Sequence, residues 1–278
     1  MQPLATEHAR FIRPAKLPGV EALQATFVSH RYAPHIHDTW TIAHVISGAA
    51  RFQLEGRWQT AAAGTSFLIA PGAVHTGESA SPAGYTYRVL YLEPERLGER
   101  AERELGLRRR STPVLVRRGE LAQALMSMHG VLAIPEMALE QGEVLARISR
   151  ELLWLLGHED GPWPRRVHPT VDAARAYIHA HWREDFTLDD LGQAVGFSAF
   201  HLVRTFRKEI GMPPSAYRRA LRIQAAQRLL QTGTPPARAA AECGFYDQAH
   251  LNRHFKRVMG VTPVQYMRAE VPSITPRN

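Results

Sequence analysis

The sequence predicts a multidomain α+β chain. A small β-barrel or jelly roll comes first, a helical segment follows, and an all-α domain with two helix-turn-helix motifs closes it. Three observations carry this expectation. Over the first ninety or so residues, short apolar runs alternate with turn signals. Between residues 121 and 156, apolar side chains recur at spacings of three and four. In the last ninety residues one pattern occurs twice at a constant offset of 49 positions. A length of 278 residues accommodates about two domains, and an apolar content of 45% is ample to give each a core.

The strand-rich part is built from Val45, Phe52, Leu54, Trp58, Phe67, Leu68, Ile69, Tyr87, Val89 and Tyr91. It is broken by Ser47-Gly48, Glu55-Gly56-Arg57 and Pro71-Gly72. Arg51 to Leu54 and Trp58 to Thr60 flank Gly56 as the arms of a hairpin. Three sets of residues suit a pocket inside such a domain: Trp40, Trp58 and Phe67; His44 and Tyr87; Arg51 and Arg88. Aromatics at these positions serve equally well as plain core. His35 and His37 lie two apart on a strand and so share a face, and His75 is a third imidazole that can join them. The trio either holds a metal or lines a pocket mouth and hydrogen-bonds locally, and no metal is assumed.

Leu121, Leu125, Met128 and Leu132 predict one helix of the connecting segment. A second follows over 139–156, with apolar residues at 145, 148, 152 and 155 in the seam pattern of packed helices. That seam meets either a second copy of the chain or another helix of the same one. Residues 157–166 (Gly-His-Glu-Asp-Gly-Pro-Trp-Pro-Arg-Arg) break any helix and read as a linker. Helix resumes near Thr170, with Ala174, Tyr177 and Ile178 on its apolar side.

The repeated pattern pairs His201/His250, Leu202/Leu251, Arg204/Arg253, Phe206/Phe255, Gly211/Gly260, Pro214/Pro263 and Tyr217/Tyr266. In the first copy Thr187 caps a helix whose Leu188, Leu191 and Val195 form one face, with Asp190 completing the cap. Gly196 takes the turn, and Ser198 starts a second helix with Leu202 and Phe206 inward. The second copy uses Asp247 as cap, with Leu251 and Phe255 inward. Two helices crossing at a short turn, the second bearing Arg, Asn and Gln, form the motif that enters the DNA major groove. Paired motifs of this kind also mediate protein contacts alone. Charge agrees with the nucleic-acid reading. From Pro169 onward fifteen Lys/Arg face nine Asp/Glu, a net +6, whereas the preceding part carries a net +2 of the total +8.

The C-terminal region resembles the AraC/XylS transcription regulators. The resemblance rests on Ala241-Glu242-Cys243-Gly244-Phe245-Tyr246-Asp247-Gln248, followed by Phe255-Lys256-Arg257 and Gly260-Val261-Thr262-Pro263, and it covers about residues 168–270. It implies a seven-helix DNA-binding domain. Carried onto this sequence, the base-reading positions are Ala199, Phe200, Val203 and Arg204 in the first motif and Gln248, His250, Asn252 and Arg253 in the second. The first three offer thymine-methyl contact and few hydrogen bonds, so first-motif specificity is expected to rest on Arg204. Ser198, Lys208, Asp247, Lys256 and Arg257 are the expected phosphate-contacting positions. Upstream, His35-Ile36-His37-Asp38 and the run from Gly64 to His75 resemble the cupin-like sensing domain found in front of many such regulators. The effector pocket is then expected at His35, His37, Trp40, His44, Trp58, His75 and Tyr87. Cupin enzymes add a Glu about four residues after the second His, and Thr41 stands at that position here. A metal-dependent cupin enzyme fused to a DNA-binding domain is the alternative, although no catalytic constellation is otherwise recognisable.

The implied organisation is a sensing barrel over 1–95, a helical dimerisation or connector segment over 96–157, a linker over 158–169 and the double helix-turn-helix domain over 170–272. The implied activity is that of a sequence-specific transcription factor, a ligand-responsive activator whose motifs occupy successive major grooves. Its expected partners are double-stranded promoter DNA, RNA polymerase, a second copy of the chain and an unidentified small-molecule effector. A single cysteine, Cys243, and no apolar run of membrane length lead to the expectation of a cytoplasmic, nucleoid-associated protein that is neither exported nor membrane-bound.

Overall fold

Period-two alternation builds the N-terminal half. The strands are β1 (His8–Ile12), β2 (Val20–Phe27), β3 (Tyr32–His35), β4 (Trp40–Leu54), β5 (Arg57–Ala62), β6 (Ser66–Ile69), β7 (His75–Ser79), β8 (Tyr85–Leu92) and β9 (Leu115–Val116). The structure is a computed structural model, and it describes residues 7–54, 57–97, 115–117, 119–158 and 167–268. All pairings are antiparallel, and fifteen-residue β4 is the shared element. Its first half lies between β8 and β6, its second half between β5 and β7, and its register with β8 shifts between Val45 and Ser47. That irregularity turns the strand from one face of the jelly roll to the other. The expected hairpin forms, with Leu54 opposite Arg57. The hydrogen-bonded order β1-β2-β8-β4-β6-β9 does not close on itself, so the domain is an open jelly roll rather than a sealed barrel.

The larger face of this sheet is buried on both sides. Trp40, Ile42, Leu90 and Leu92 point outward beneath two helices, α1 (Gly119–Val131) and α2 (Ala138–His158). Ala43, Val45, Phe52, Phe67 and Val89 point into the domain. The seam at Ile148, Leu152 and Leu155 is fully buried against α1 and the sheet, with Leu145 packed beside it. This corrects the expectation of a dimerisation seam there: covering the outer sheet face costs the chain those residues. Most of the linker, 159–166, lies outside the described residues.

Among the described residues the C-terminal part is seven helices: α3 (Pro169–His181), α4 (Leu188–Val195), α5 (Ala199–Ile210), α6 (Pro214–Gln231), α7 (Pro236–Glu242), α8 (Gln248–Met259) and α9 (Pro263–Met267). Their starts were written in the sequence. Thr187 and Asp190 form a reciprocal capping box, and Ser198 and Asp247 accept from the amides of His201 and His250. Pro stands at the start of α3, α6, α7 and α9, where its missing N–H costs nothing.

This domain docks on the β-domain through a buried polar seam. Glu21 of β2 is 6% exposed and meets the Arg13 guanidinium at 2.5 Å. The Tyr266 hydroxyl of α9 donates to both Glu21 oxygens, at 2.8 and 3.0 Å. Gln227 and Gln231 of α6 each donate to that hydroxyl oxygen at 2.8 Å. Phe11 stacks edge-on against the Tyr266 ring, and Arg13 lies over its face at 3.9 Å. Burial still pushes the Glu21 carboxyl above its usual range, against the pull of Arg13 and Tyr266. The Arg13 Nη2 is buried without a hydrogen-bond partner, so the seam is only partly satisfied and not strongly favourable.

Two stability predictions follow from this packing. Tyr266→Phe removes the central donor and strands two amides, so it should cost about 1–3 kcal/mol, read as a lower urea midpoint for the C-terminal helices. His129 of α1 donates from Nε2 to the Val89 carbonyl at 3.1 Å, and burial, with Arg88 nearby, lowers its pKa from 6.5 to about 4. A base depressed on folding gives stability that is complete above pH 6.5 and lost as pH falls toward 4. The protection factors of the α1 amides, corrected for the intrinsic pH dependence of exchange, should therefore fall between pH 7 and 5, and His129→Gln should flatten that dependence.

Candidate effector pocket and DNA-reading helices

The two second helices, α5 and α8, are built alike. Leu202 and Phe206 of α5, and Leu251 and Phe255 of α8, are fully buried, which leaves the opposite stripe of each helix exposed. Phe200 is 80% exposed and Arg204 and Lys208 are exposed on α5, while Ala199 and Val203 are half-buried. On α8, Gln248, Arg253, Lys256 and Arg257 are exposed. His250 and Asn252 fit the expected reading role less well. The Nδ1 of His250 accepts from the Tyr246 amide at 3.4 Å, and its ring packs edge-on against Phe245 and His254. Asn252 is half-buried, with its Oδ1 turned inward and without a hydrogen-bond partner. The Ser198 and Asp247 side chains are engaged as N-caps, so near a phosphate they act through the amides they organise. Tyr246, 93% exposed immediately before α8, is a surface aromatic that the sequence patterns did not single out.

Helix α6 fixes the two motifs relative to each other. Its Arg222 is 9% exposed and donates to the carbonyls of Trp182 at 2.9 Å and Gly244 at 2.5 Å. One guanidinium thus ties the end of α3, ahead of the first motif, to the turn of the second. The fixed fork of Arg suits it to bridging several carbonyls at once.

The pocket lies inside the jelly roll. His35, His37, Thr41, Phe67, His75, Tyr85, Tyr87 and Tyr91 belong to its lining, with Arg51 also on the wall and a cavity of about 50 Å³ between them. Tyr85, Tyr87 and Tyr91 share the inner face of β8 by period two, a signal present in the sequence. The imidazoles form one cluster, with ring centres 4.1 Å apart for His35 and His75, 4.9 Å for His35 and His37, and 5.2 Å for His37 and His75. Nδ1 of His35 donates to the Ala33 carbonyl at 2.7 Å, and Nδ1 of His75 to that of Ala73 at 3.0 Å. A carbonyl can only accept, so both rings carry their proton on Nδ1 and keep a free lone pair on Nε2. Burial depresses all three pKa values, that of His75 to about 4, which keeps the rings neutral. Beside them the hydroxyl of Thr41 is buried without a partner, although its residue is only 5% exposed.

Of the expected pocket residues, His35, His37, His75 and Tyr87 converge, and three do not. Trp40 and His44 sit on even positions of β4, whereas Thr41 and Ala43 face the pocket. Trp40 is therefore buried beneath α1 and α2, and His44 Nδ1 pairs with the Ser66 hydroxyl at 2.9 Å. Trp58 is 47% exposed on β5, with the Arg51 guanidinium over its ring at 4.0 Å. Arg88, on the same outward face as His44, is also outside the pocket, while Phe67 is inside and stacks on Phe52 at 4.6 Å. The donor set suits a transition metal: three neutral imidazoles with nitrogens within 4.8 Å of one another, two oriented by backbone carbonyls. The carboxylate that would make a cupin-enzyme centre is replaced by Thr41.

The wall that bears these histidines is also the wall on which the DNA-reading domain rests. Ile36, between His35 and His37, points the other way and is buried in the core of the first motif with Leu202, Phe206 and Tyr217. The Ile36 carbonyl accepts from Gln224 at 3.3 Å, and Asp38 pairs with Arg228. Tyr32, whose hydroxyl meets that of Tyr87 at 3.0 Å in the pocket, packs against the C-terminal end of α8. There Gly260 has φ +75°, and a methyl on it would approach Phe27 to 3.0 Å and the Tyr32 hydroxyl to 3.5 Å. Its repeat partner Gly211, at the end of α5, similarly faces Val74, the residue before His75. Neither contact was visible in the sequence.

Known proteins share this domain organisation. The AraC-like ligand binding domain family matches residues 17–156, half of the chain, and a helix-turn-helix domain family matches residues 191–269. The HTH-type transcriptional regulator YbfI of Bacillus subtilis (strain 168) is 29% identical over 239 residues, covering 84% of this chain and 86% of that one. YisR of the same organism, also an HTH-type transcriptional regulator, is 23% identical over 245 residues, covering 81% and 82%. Among solved structures, ToxT from Vibrio cholerae strain SCE256, with an unsaturated fatty acid bound, superposes with a TM-score of 0.58 at 13% identity, over 98% of this chain and 99% of that one. That likeness shows a common fold. With a sensing domain and a double helix-turn-helix matched in order, the chain belongs to the AraC-type family of DNA-binding transcription regulators.

Proposed function

We propose that this regulator reads promoter DNA with α5 and α8 in successive major grooves, about one turn or 34 Å apart, and that a small effector in the three-histidine pocket governs that reading. The observation that supports the coupling is the shared wall: His35 and His37 face the effector while Ile36, one residue between them, lies in the core of the first motif. An effector acts here only by binding one arrangement of wall and helices better than another. The pocket favours a compact, hydrogen-bonding effector. A cavity of about 50 Å³ leaves room for a few water-sized groups, far less than an acyl chain such as the one bound in the ToxT structure. The Thr41 hydroxyl, the free imidazole nitrogens and the tyrosine hydroxyls supply its partners.

Residues 8–97 act in this reading as the sensor, 119–158 as its helical support and 167–268 as the DNA-binding part. The protein works as a cytoplasmic, nucleoid-associated homodimer that contacts RNA polymerase, and by binding rather than catalysis. With the 148/152/155 seam used internally, the dimer forms through the outer side of α2, where Leu139 is 75% exposed and Trp154 is 42% exposed. No helix among the described residues is long and apolar enough to cross a membrane.

Footprinting of genomic fragments tests the reading, with two protected tracts one helical turn apart per subunit as the expected pattern. Arg253→Ala should weaken the site by about 1–3 kcal/mol and relax one base preference; equal weakening on all sequences would make Arg253 a phosphate contact instead. The imidazole geometry favours a second reading, in which His35, His37 and His75 hold a divalent metal whose open positions face the pocket and bind the effector. Chelator-treated protein should then take up about one equivalent of Co²⁺ with a visible absorption band, lost in His75→Ala. Uptake below about 0.2 equivalents removes that metal.

A further inference from the structure

A second concave feature lies apart from the effector pocket and shares only Arg253 with the base-reading positions. A cleft of about 340 Å³ opens where the β2–β3 turn meets α8, and it is lined by His30, Arg31, Arg253, Lys256 and Arg257. Every one of these side chains is basic or an imidazole. Such a grouping repels itself unless a polyanion neutralises it. One carboxylate at its edge already pairs with the cleft, but it is shared with the pocket-wall Arg51. Glu78 bridges Arg31 at 3.5 Å and Arg51 at 3.4 Å. Glu7 accepts from the amides of Val28, Ser29 and His30 at 2.8, 2.5 and 2.8 Å, which clamps the turn. The His30 ring is held between Phe27 and Tyr32, at 4.9 and 4.6 Å. Arg31 is left projecting, its side chain 80% exposed. The turn is thus built to present a cation at a fixed place.

That place suits a duplex. From Gln248 to Lys256 the helix advances about 12 Å, roughly the width of the major groove. With Gln248 over base edges, Lys256 and Arg257 reach the bordering strand, and Arg31 stands beside them. We propose that this cleft grips the DNA backbone phosphates bordering the second motif's half-site, so that the ligand-binding domain itself supplies Arg31, positioned by Glu7, to the DNA interface. This rests on α8 being a DNA-reading helix. Free phosphates and phosphorylated metabolites share the chemistry, but a small-molecule site encloses its polar anchors, whereas Arg31, Arg253 and Lys256 are exposed. Arg31 also precedes Tyr32, which lines the effector pocket, so a change there re-aims a phosphate contact.

The test uses the full chain on a footprinted operator, with affinity measured across a salt series for wild type, Arg31→Ala, Arg31→Lys, Glu7→Gln and Arg253→Ala. Losing one phosphate contact lowers the slope of log K against log salt by about 0.9 and the affinity by about five- to tenfold near 0.1 M salt. Arg31→Ala should do this equally on operator and random duplex, Arg31→Lys should restore most of it, and Glu7→Gln should show the same slope change in part. An unchanged slope in Arg31→Ala overturns the proposal, and so does tighter binding, which would make the turn an obstruction. Tripolyphosphate binding to DNA-free protein at micromolar concentration, abolished by Arg31→Ala, also overturns it by making the cleft a small-anion site. If Arg253→Ala loses base preference while Arg31→Ala is silent, only this inference fails. If wild type selects no operator, the DNA reading fails with it.

Discussion

The segment 32–38 shows side chains to both sides of one wall. Tyr32, His35 and His37 close the pocket, while Ile36 enters the core of the first DNA-reading motif. A wall one residue thick allows no slack between the two functions. Packed cores do not deform continuously, so a displacement of the imidazoles has to be accommodated by the helices behind them. The glycines that end α5 and α8 rest on this wall at Val74 and Tyr32. Each is held in a left-handed conformation with no side chain of its own, which lets the backbone of a reading helix approach the pocket wall closely.

The seam around Glu21 explains how such a contact can be firm without being permanent. Its carboxylate pairs with the guanidinium, the hydroxyl and, through that hydroxyl, two amides, so the buried charges face each other, although Arg13 Nη2 has no hydrogen-bond partner. Burial nevertheless keeps the carboxyl pushed up from its ordinary value, so at this group desolvation outweighs the pull of Arg13 and Tyr266. An apolar seam of the same area would bind more tightly and respond less. Domain interfaces of mixed polarity are the kind that reorganise under modest differential binding energy.

The two motifs share a frame but not a chemistry. Buried leucine, buried phenylalanine, cap and terminal glycine repeat faithfully, because each copy must form the same pair of helices. The exposed stripes differ near the helix starts: Phe200 and Arg204 on α5 suit methyl groups and a single guanine contact, whereas α8 adds the amide of Gln248 to its Arg253. Both helices end in basic residues, Arg207 and Lys208 on α5 and Lys256 and Arg257 on α8, and those of α8 lie beside His30 and Arg31 of the ligand-binding domain.

The local rules were legible in the sequence. N-caps at Thr187, Ser198 and Asp247, proline starts, glycine stops and the offset of 49 positions specify the C-terminal helices, because capping and turn conformations depend on residues a few positions apart. The 51–60 hairpin follows from period two in the same way, while His35 and His37 meet although β3 ends at His35. Which side of a strand becomes interior does not. Trp40 and His44 have the composition of pocket residues, yet the helices that cover the outer sheet face decided otherwise, and the same packing took the 148/152/155 seam out of reach of a partner. The Glu21–Tyr266 seam joins residues 245 positions apart, and the cleft at Arg31 and Lys256 likewise joins distant segments. Sequence alone determined the elements and their caps, since those energies are local. Tertiary structure decided the pocket's members and its contact with the DNA-reading helices, since burial on a given face depends on what packs against it.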